Sequence, residues 1–332
     1  MKQIAVIGSG SWGTALAYMF EKHGHQVRLW SYKEEEAANI IKHSENTEFL
    51  PGVKLGKNLR VITDRQEAVE GADIIVTAIP SRFLRMNMEQ FVPFIKENQI
   101  LVNASKGIED ETFFTLSEVV ENIFPNNTVA VLSGPSHAED VGKNMPTACI
   151  IAARDEEQAK MLQHELSNED FRLYTLTDVR GVDLGGALKN IIALAAGICD
   201  GMGLGDNIKA ALMTRGMAEM ARLGKAMGCN IETFFGLSGM GDLIVTCISM
   251  HSRNRRAGIL LGQGKTLKEA LNEVHMVVEG VSASTAAYNL SQKYNVKMPI
   301  TEAVYNVLFK NADVRIVIKG LMNRDAKAEG FK

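Results

Sequence analysis

The 332-residue sequence has only four cysteines, Cys149, Cys199, Cys229 and Cys247, each alone and none in a C-x-x-C pair. That excludes a disulfide framework and fits reduced thiols in a cytosol. The seven histidines make no metal-ligand spacing with those thiols, although His23 and His25 lie close together, and no metal site is expected. Positive charge is not in excess, since 36 Lys and Arg stand against 39 Asp and Glu for a formal charge of -3. Nucleic acid would call for a basic face, so it is not an expected partner. No apolar run approaches the roughly 20 residues of a membrane span. The first residues read as a core strand and not as a charged leader, so a cytoplasmic protein without a membrane span is expected. Proline-rich linkers, low-complexity stretches and solenoid-period repeats are missing too. What remains is length, and 332 residues are too many for one comfortable core, which predicts two domains.

The chain is organised around Lys2-Gln3-Ile4-Ala5-Val6-Ile7-Gly8-Ser9-Gly10-Ser11-Trp12-Gly13-Thr14. An apolar strand runs into Gly-x-Gly-x-x-Gly, and a helical pattern with Ala15, Leu16, Ala17, Met19 and Phe20 follows. In such a turn Gly8 supplies the tight bend, Gly10 lets a pyrophosphate approach the backbone, and Gly13 lets the helix lie close to the sheet. The anion sits on the free N-H groups at the helix start. A nicotinamide dinucleotide is the expected ligand.

Gln26 to Trp30 predicts the second strand. An Asp or Glu ordinarily ends this strand and binds the ribose 2'-hydroxyl, but Ser31-Tyr32-Lys33 stands here instead. A 2'-phosphate is therefore accommodated and NADP(H) favoured over NAD(H), tempered by Glu34, Glu35 and Glu36 immediately after. Leu59 to Ile62, Asp73 to Pro80, Ile100 to Asn103, Thr128 to Leu132, Thr147 to Ala152 and Phe171 to Tyr174 read as further strands, with a polar helix from Asp155 to about Leu166. Ligands of open α/β sheets collect at the carboxyl ends of strands. That rule nominates Lys106 in Ser105-Lys106-Gly107, and Gly134 and Ser136 in Ser133-Gly134-Pro135-Ser136-His137-Ala138. A solvated Lys106 and a structural His137 are the plain alternatives.

From Val182 the pattern changes to helix after helix. Leu184 to Cys199, Ile208 to Met227, Arg253 to Leu261, Thr266 to Glu273, Ser282 to Tyr294 and Thr301 to Phe309 all read as helical. The fold class expected is α/β, a Rossmann-type mostly parallel sheet domain in residues 1–180 followed by an all-helical second domain in residues 181–332. Lys189 is the one charge in Leu184 to Gly197, and no carboxylate lies at i±3 or i±4. A buried lysine needs a partner, a ligand or a lowered pKa, and the small neighbours Gly185, Gly186 and Ala193 predict a hollow for a substrate. The alternative is a lysine that snorkels to the surface.

Gly236 to Leu243 reads as a glycine-rich turn ending in Asp242, which can orient Lys189, bind a substrate hydroxyl or cap the turn. Ser252 reads as an N-cap, which puts Arg253 and Asn254 in a first helical turn where cations are disfavoured unless an anion sits there. Arg255 and Arg256 are expected to be solvated.

These motifs, in this order and across nearly the whole chain, resemble the bacterial NAD(P)-dependent glycerol-3-phosphate dehydrogenase family. The resemblance is carried by Gly8 to Thr14, Ser105-Lys106-Gly107, Ser133 to Ser136, Leu188-Lys189-Asn190, Gly239 to Leu243, Ser252-Arg253-Asn254 and Val278-Glu279-Gly280. It implies reversible hydride transfer between NAD(P)H and dihydroxyacetone phosphate, giving sn-glycerol 3-phosphate for phospholipid synthesis, in an enzyme that is a homodimer. It further implies Lys189 as the proton acceptor. Ser11, Trp12, Tyr32, Lys106, Ala138, Arg253, Val277 and Glu279 match cofactor positions beside the glycines. Lys106, Gly134, Ser136, Lys189, Asp242, Ser252, Arg253 and Asn254 match substrate positions. His137 departs from the family's usual phenylalanine, and Tyr32 from a frequent basic or imidazole side chain. A β-hydroxyacid or 6-phosphogluconate type dehydrogenase also pairs two such domains with a catalytic lysine, and differs in taking a carboxylate in place of the phosphate. A nicotinamide-sensing binding protein would need no isolated lysine on a buried helix.

Overall fold

Short apolar runs in the strands build the first unit. The computed structural model describes residues 1–325, so the 326–332 end of the expected helical domain lies outside the described residues. The strands are β1 (Gln3–Ile7), β2 (Gln26–Trp30), β3 (Leu59–Ile62), β4 (Ile74–Thr77), β5 (Ile100–Asn103), β6 (Val129–Ser133), β7 (Thr147–Ala153) and β8 (Phe171–Leu176). They form one sheet in the order β3-β2-β1-β4-β5-β6-β7-β8. All neighbouring pairs are parallel except β6 and β7, so the expected mostly parallel sheet is present.

Seven helices accompany it: α1 (Ser11–Lys22), α2 (Glu34–His43), α3 (Arg65–Val69), α4 (Leu84–Glu89), α5 (Leu116–Ile123), α6 (Ala138–Gly142) and α7 (Glu156–Leu166). Successive strand residues point to opposite faces. Ile4 and Val6 thus join Leu16, Phe20 and Leu162 in one apolar cluster, while Ala5 and Ile7 join Leu84, Leu116 and Val120 in another. With both faces covered, β1, β4 and β6 read as nearly unbroken apolar runs.

Register decides where ligands can gather. Ile7 lies opposite Trp30 and Thr77, Trp30 opposite Ile62, and Thr77 opposite Asn103. The residues that follow are therefore level: Gly8 N-H donates to Trp30 C=O, Ala78 N-H to Ile7 C=O, and Ala104 N-H to Thr77 C=O. The loops after β1, β2, β4 and β5 leave the sheet along one rim.

The chain divides into two compact units, one of Met1–Lys106 and Phe114–Arg180, the other of Gly107–Phe113 and the residues from Gly181 onward. Nothing in the composition of Gly107–Phe113 sets it apart from neighbouring loops. Its Ile108 is buried in the same apolar cluster as Leu184 and Leu188.

The second unit is helical: α8 (Val179–Gly201), α9 (Asp206–Ala226), α10 (Ile231–Phe235), a π-helical turn (Leu237–Gly241), α11 (Asp242–Ile248), α12 (Arg253–Gly262), α13 (Leu267–Val274), α14 (Glu279–Lys293), α15 (Pro299–Phe309) and α16 (Val314–Met322). α8 corrects one expectation, because this 23-residue helix is long and apolar enough to cross a membrane. The run was missed because Arg180, Asp183 and Lys189 punctuate it. Nearly all of it is buried by protein, as befits the central helix of a core.

α8 and α12 cross with their backbones in contact. A β-carbon at Gly197 would stand 2.1 Å from the Arg255 carbonyl oxygen, and one at Gly258 2.1 Å from that of Leu194. Gly201 and Gly262 repeat the arrangement one turn on, with carbonyl oxygens at 2.1 and 2.3 Å. Glycine at these four positions is what lets two helices approach so closely. On α9, buried Glu219 accepts hydrogen bonds from Ile300 N-H (2.7 Å), Thr301 N-H (3.1 Å) and Thr301 Oγ1 (3.2 Å), closing the start of α15. Burial pushes its carboxyl up to about 7.

Candidate functional site

In the first unit the three glycines have separate physical reasons. Gly8 has φ +118°, and a β-carbon there would stand 2.6 Å from the Ala78 carbonyl oxygen. One at Gly13 would stand 1.9 Å from the Gly8 carbonyl oxygen, whereas one at Gly10 would meet nothing within 4 Å. Gly8 and Gly13 serve packing, and Gly10 leaves open space. α1 starts at Gly10 with no side-chain cap and no acidic residue in its first turn, so N-H groups are left for an anion. These residues fit a dinucleotide pyrophosphate.

The turn is braced from within the sheet unit, in part by Asn46, which the sequence did not single out. Buried Asn46 donates to the Ser9 carbonyl and to Thr14 Oγ1, both at 2.8 Å. Trp12 Nε1 donates to the Ala104 carbonyl at 3.1 Å. Ser9 Oγ meets Ser31 Oγ at 2.9 Å and the Glu36 carboxylate at 3.4 Å. Tyr32 is 64% exposed and sits edge-on to Trp30. Lys33 is ion-paired with Glu36 at 2.8 Å, and that hydrogen bond holds its ammonium above the usual range.

After β5 and β6, Lys106 Nζ donates to the Gly134 carbonyl at 3.1 Å, and Ser136 Oγ donates to the same oxygen at 3.0 Å. A β-carbon at Gly134 would stand 2.9 Å from the Cys149 Cα. Three residues named separately by the strand-end rule thus meet at one carbonyl. Asn103 and Ser105 hold this loop: Asn103 accepts from Thr77 Oγ1 at 3.1 Å and donates to the Ser105 carbonyl at 3.1 Å, while Ile79 N-H donates to Ser105 Oγ at 2.9 Å. Ala138 is the first residue of α6, with half-buried His137 just before it.

In the second unit Lys189 is buried. Its ammonium is ion-paired with Asp242 and donates to Thr246 Oγ1 at 2.7 Å. Thr246 Oγ1 in turn donates to the Asp242 carbonyl at 2.6 Å. Snorkelling is excluded, and Asp242 faces Lys189. Thr246 was missed, although its place one helical turn after Asp242 puts both on one face of α11. The expected turn from Gly236 is the π-helical turn running straight into α11. The expected hollow beside Gly185 is filled, since its β-carbon position lies 3.1 Å from the Ser238 carbonyl oxygen. Burial pushes the neighbouring Cys247 thiol up to about 12, so it stays protonated and is no nucleophile.

Ser252 caps α12, its hydroxyl accepting from Arg255 N-H at 3.2 Å. Half-buried Arg253 opens the helix. Buried Asn254 donates to Asn190 Oδ1 at 2.9 Å and accepts from Gly280 N-H at 2.8 Å. This ties the helix start to the residue after Lys189 and to the corner holding Val277 and Glu279. Arg255 is not solvated as expected: it bonds Asp200 and the Ile248 carbonyl, both at 2.7 Å. Arg256 has its Nε buried as well. Spacing alone could not reveal Asp200, which lies 55 residues before Arg255. Among the described residues no three His, Cys, Asp or Glu side chains are grouped to hold a metal.

Comparison with known proteins places this geometry. The family profile described as NAD-dependent glycerol-3-phosphate dehydrogenase N-terminus matches residues 3–159, and that described as its C-terminus matches residues 178–319. The sequence is 50% identical over 331 residues to glycerol-3-phosphate dehydrogenase (NAD(P)+) of Fusobacterium nucleatum, covering 99% of each chain. It is 50% identical over 327 residues to the enzyme of that name from Bacillus subtilis, covering 98% of this chain and 95% of that one. The crystal structure of glycerol-3-phosphate dehydrogenase from Coxiella burnetii is similar, with a TM-score of 0.94, 36% identity and coverage of 97% and 99%.

Proposed function

The chain belongs to the NAD-dependent glycerol-3-phosphate dehydrogenase family, and on that premise we propose which of its residues perform the reaction. It is an NAD(P)-dependent oxidoreductase that interconverts dihydroxyacetone phosphate and sn-glycerol 3-phosphate, a reaction that serves phospholipid synthesis. The observation that carries the residue assignment is the buried Lys189-Asp242-Thr246 group, tied through Asn190 and Asn254 to the Arg253 helix start.

The bound nicotinamide supplies or takes up the hydride. Gly8, Gly10 and Gly13 bring α1 under the pyrophosphate, where Ser11 and Trp12 begin the helix. Tyr32, Lys106, Ala138, Arg253, Val277 and Glu279 are the other cofactor residues. On the substrate side the Arg253 guanidinium and the α12 N-H groups hold the phosphate, fixing C2 for attack. Ser252 and Asn254 shape that helix start. Within the sheet unit, Lys106, Gly134 and Ser136, which meet at one carbonyl, are the residues assigned to the substrate.

As hydride adds to C2, negative charge grows on the carbonyl oxygen. The Lys189 ammonium donates its proton there, leaving a neutral amine, and in oxidation the amine takes the hydroxyl proton back. Asp242 and Thr246 hold Nζ in place, and the Asp242 carboxylate compensates its charge in the buried site. Lys189→Ala is expected to lose about 10²-fold or more in kcat, the usual scale for an acid/base group. Near-normal turnover would remove the lysine from the mechanism. NADPH and NADH oxidation with dihydroxyacetone phosphate, then with unphosphorylated dihydroxyacetone, tests the phosphate assignment, and equal rates for the two would sink it.

A homodimer in the cytoplasm completes the proposal. Met240, Ile244 and Ile248, spaced four residues apart and each well exposed, support self-association. None of the four cysteines is in a disulfide, which supports a reducing compartment. Sedimentation equilibrium giving a monomer at micromolar concentration would refute the dimer.

A further inference from the structure

We propose that Glu36 reads the ribose of the adenosine half of the cofactor, taking the place of the carboxylate that β2 lacks at its end, and gives this chain a preference for NAD(H) over NADP(H). The inference rests on the assignment of the glycine turn to the cofactor and deepens it. Of the three glutamates that open α2, Glu34 and Glu35 are exposed, while Glu36 is turned inward, its side chain 19% exposed. A run of acids at a helix start is ordinarily solvated and favoured by the helix dipole alone, so the inward turn of one of them calls for its own reason. Its carboxylate lies 3.4 Å from Ser9 Oγ. Ser9 stands between Gly8 and Gly10 in the turn, and its hydroxyl also meets Ser31, the residue that directly follows β2. The helix therefore delivers, six residues late in sequence, a carboxylate to the place where an Asp or Glu at the strand end would stand.

The charges around it decide between the two cofactors. One Glu36 oxygen accepts from Lys33 at 2.8 Å, so the ammonium that the sequence offers to a 2'-phosphate is already paired. The other oxygen has only the long Ser9 contact and keeps acceptor capacity for the hydroxyls of a ribose diol. A 2'-phosphate would bring about two negative charges against the same carboxylate. Arg65 is the competing cation. Its guanidinium lies 5.5 Å from the centre of the Trp30 ring, and its buried Nε has no hydrogen-bond partner among the described residues, so its substitution is the control for a phosphate contact.

Calorimetric titration with NADH and with NADPH, on wild type, Glu36→Gln and Arg65→Gln, tests the inference without relying on turnover. Wild type is expected to bind NADH about tenfold or more tightly than NADPH, the scale of a hydrogen bond to a charged group. Glu36→Gln keeps the side-chain shape and is expected to weaken NADH by about that factor and to bring the two affinities together. Arg65→Gln is expected to leave the ratio unchanged. The inference is overturned if wild type prefers NADPH and Arg65→Gln removes that preference. It is equally overturned if Glu36→Gln weakens both nucleotides alike, the sign of a carboxylate that only braces the turn. Circular dichroism and the thermal midpoint check that each variant is folded. Failure of wild type to bind either nucleotide would instead refute the assignment of the glycine turn.

Discussion

The starts of α1 and α12, the two proposed phosphate sites, are built by opposite means. At α1 the N-cap is a glycine, no side chain closes the helix start, and the space beside Gly10 is open. At α12 a serine hydroxyl already occupies one N-H, and an arginine stands in a first turn that holds no acidic residue of its own. Bare backbone suits a pyrophosphate that must come close and is common to many dinucleotide enzymes. A guanidinium adds charge and direction, which one terminal phosphate on a small substrate needs in order to be positioned. A site made of main chain therefore announces a ligand class, while one made of side chains distinguishes the substrate.

Four substitutions probe that contrast. The largest effect is expected from Gly13→Ala, whose new methyl would have to displace the Gly8 carbonyl from 1.9 Å. Urea unfolding should register a loss of about 3 kcal/mol or more, the upper range of overpacking, together with loss of NADH binding. An unaltered midpoint would mean the bare start tolerates side chains after all. Arg253→Ala comes next. It should raise KM for dihydroxyacetone phosphate about 10- to 100-fold, the scale of a charged hydrogen bond, with a much smaller change in the NADH dissociation constant. If only cofactor affinity moved, the phosphate would belong elsewhere.

The start of α15 supplies a third case, a helix closed by the protein's own carboxylate. Glu219 has its folded-state pKa raised to about 7, so its stabilising contribution is complete below the unfolded value near 4.5 and is lost as pH rises through 7. Between pH 6 and pH 8 wild type should lose about 1 kcal/mol that Glu219→Gln does not lose. Parallel pH profiles in urea unfolding would show that the carboxyl does not titrate there. Gly10→Ala should move stability least, within about 0.5 kcal/mol, while weakening NADH, because the methyl points into the ligand's space and not into the protein. A large loss of stability in this variant would erase the distinction between open and packed glycines.

Much of the sheet was legible because its cues are local. Strands β2, β3 and β5 begin and end where apolar runs meet turn residues, and Ser252 announces α12 by the chemistry of a cap. What escaped depends on contacts between distant residues. Lys189 is visible as a lone charge on an apolar helix, but its pairing with Asp242 joins residues 53 apart. Asp200 claims Arg255 across a similar gap. Two glycines in Leu237–Gly241 suggest a loop by composition, yet the segment coils as a π-helical turn that packs on Gly185 and Phe234. Glu36 looks like its two neighbours until the fold turns it towards Ser9. Each case reflects tertiary contact overriding local preference.

The four glycines at the α8–α12 crossing also set a length scale. Since the two backbones touch, the span from the Lys189 backbone to the start of α12 is fixed by main-chain contact. The crossing is a caliper: the backbones that carry Lys189 and the proposed phosphate site cannot move apart without opening the contacts at Gly197 and Gly258.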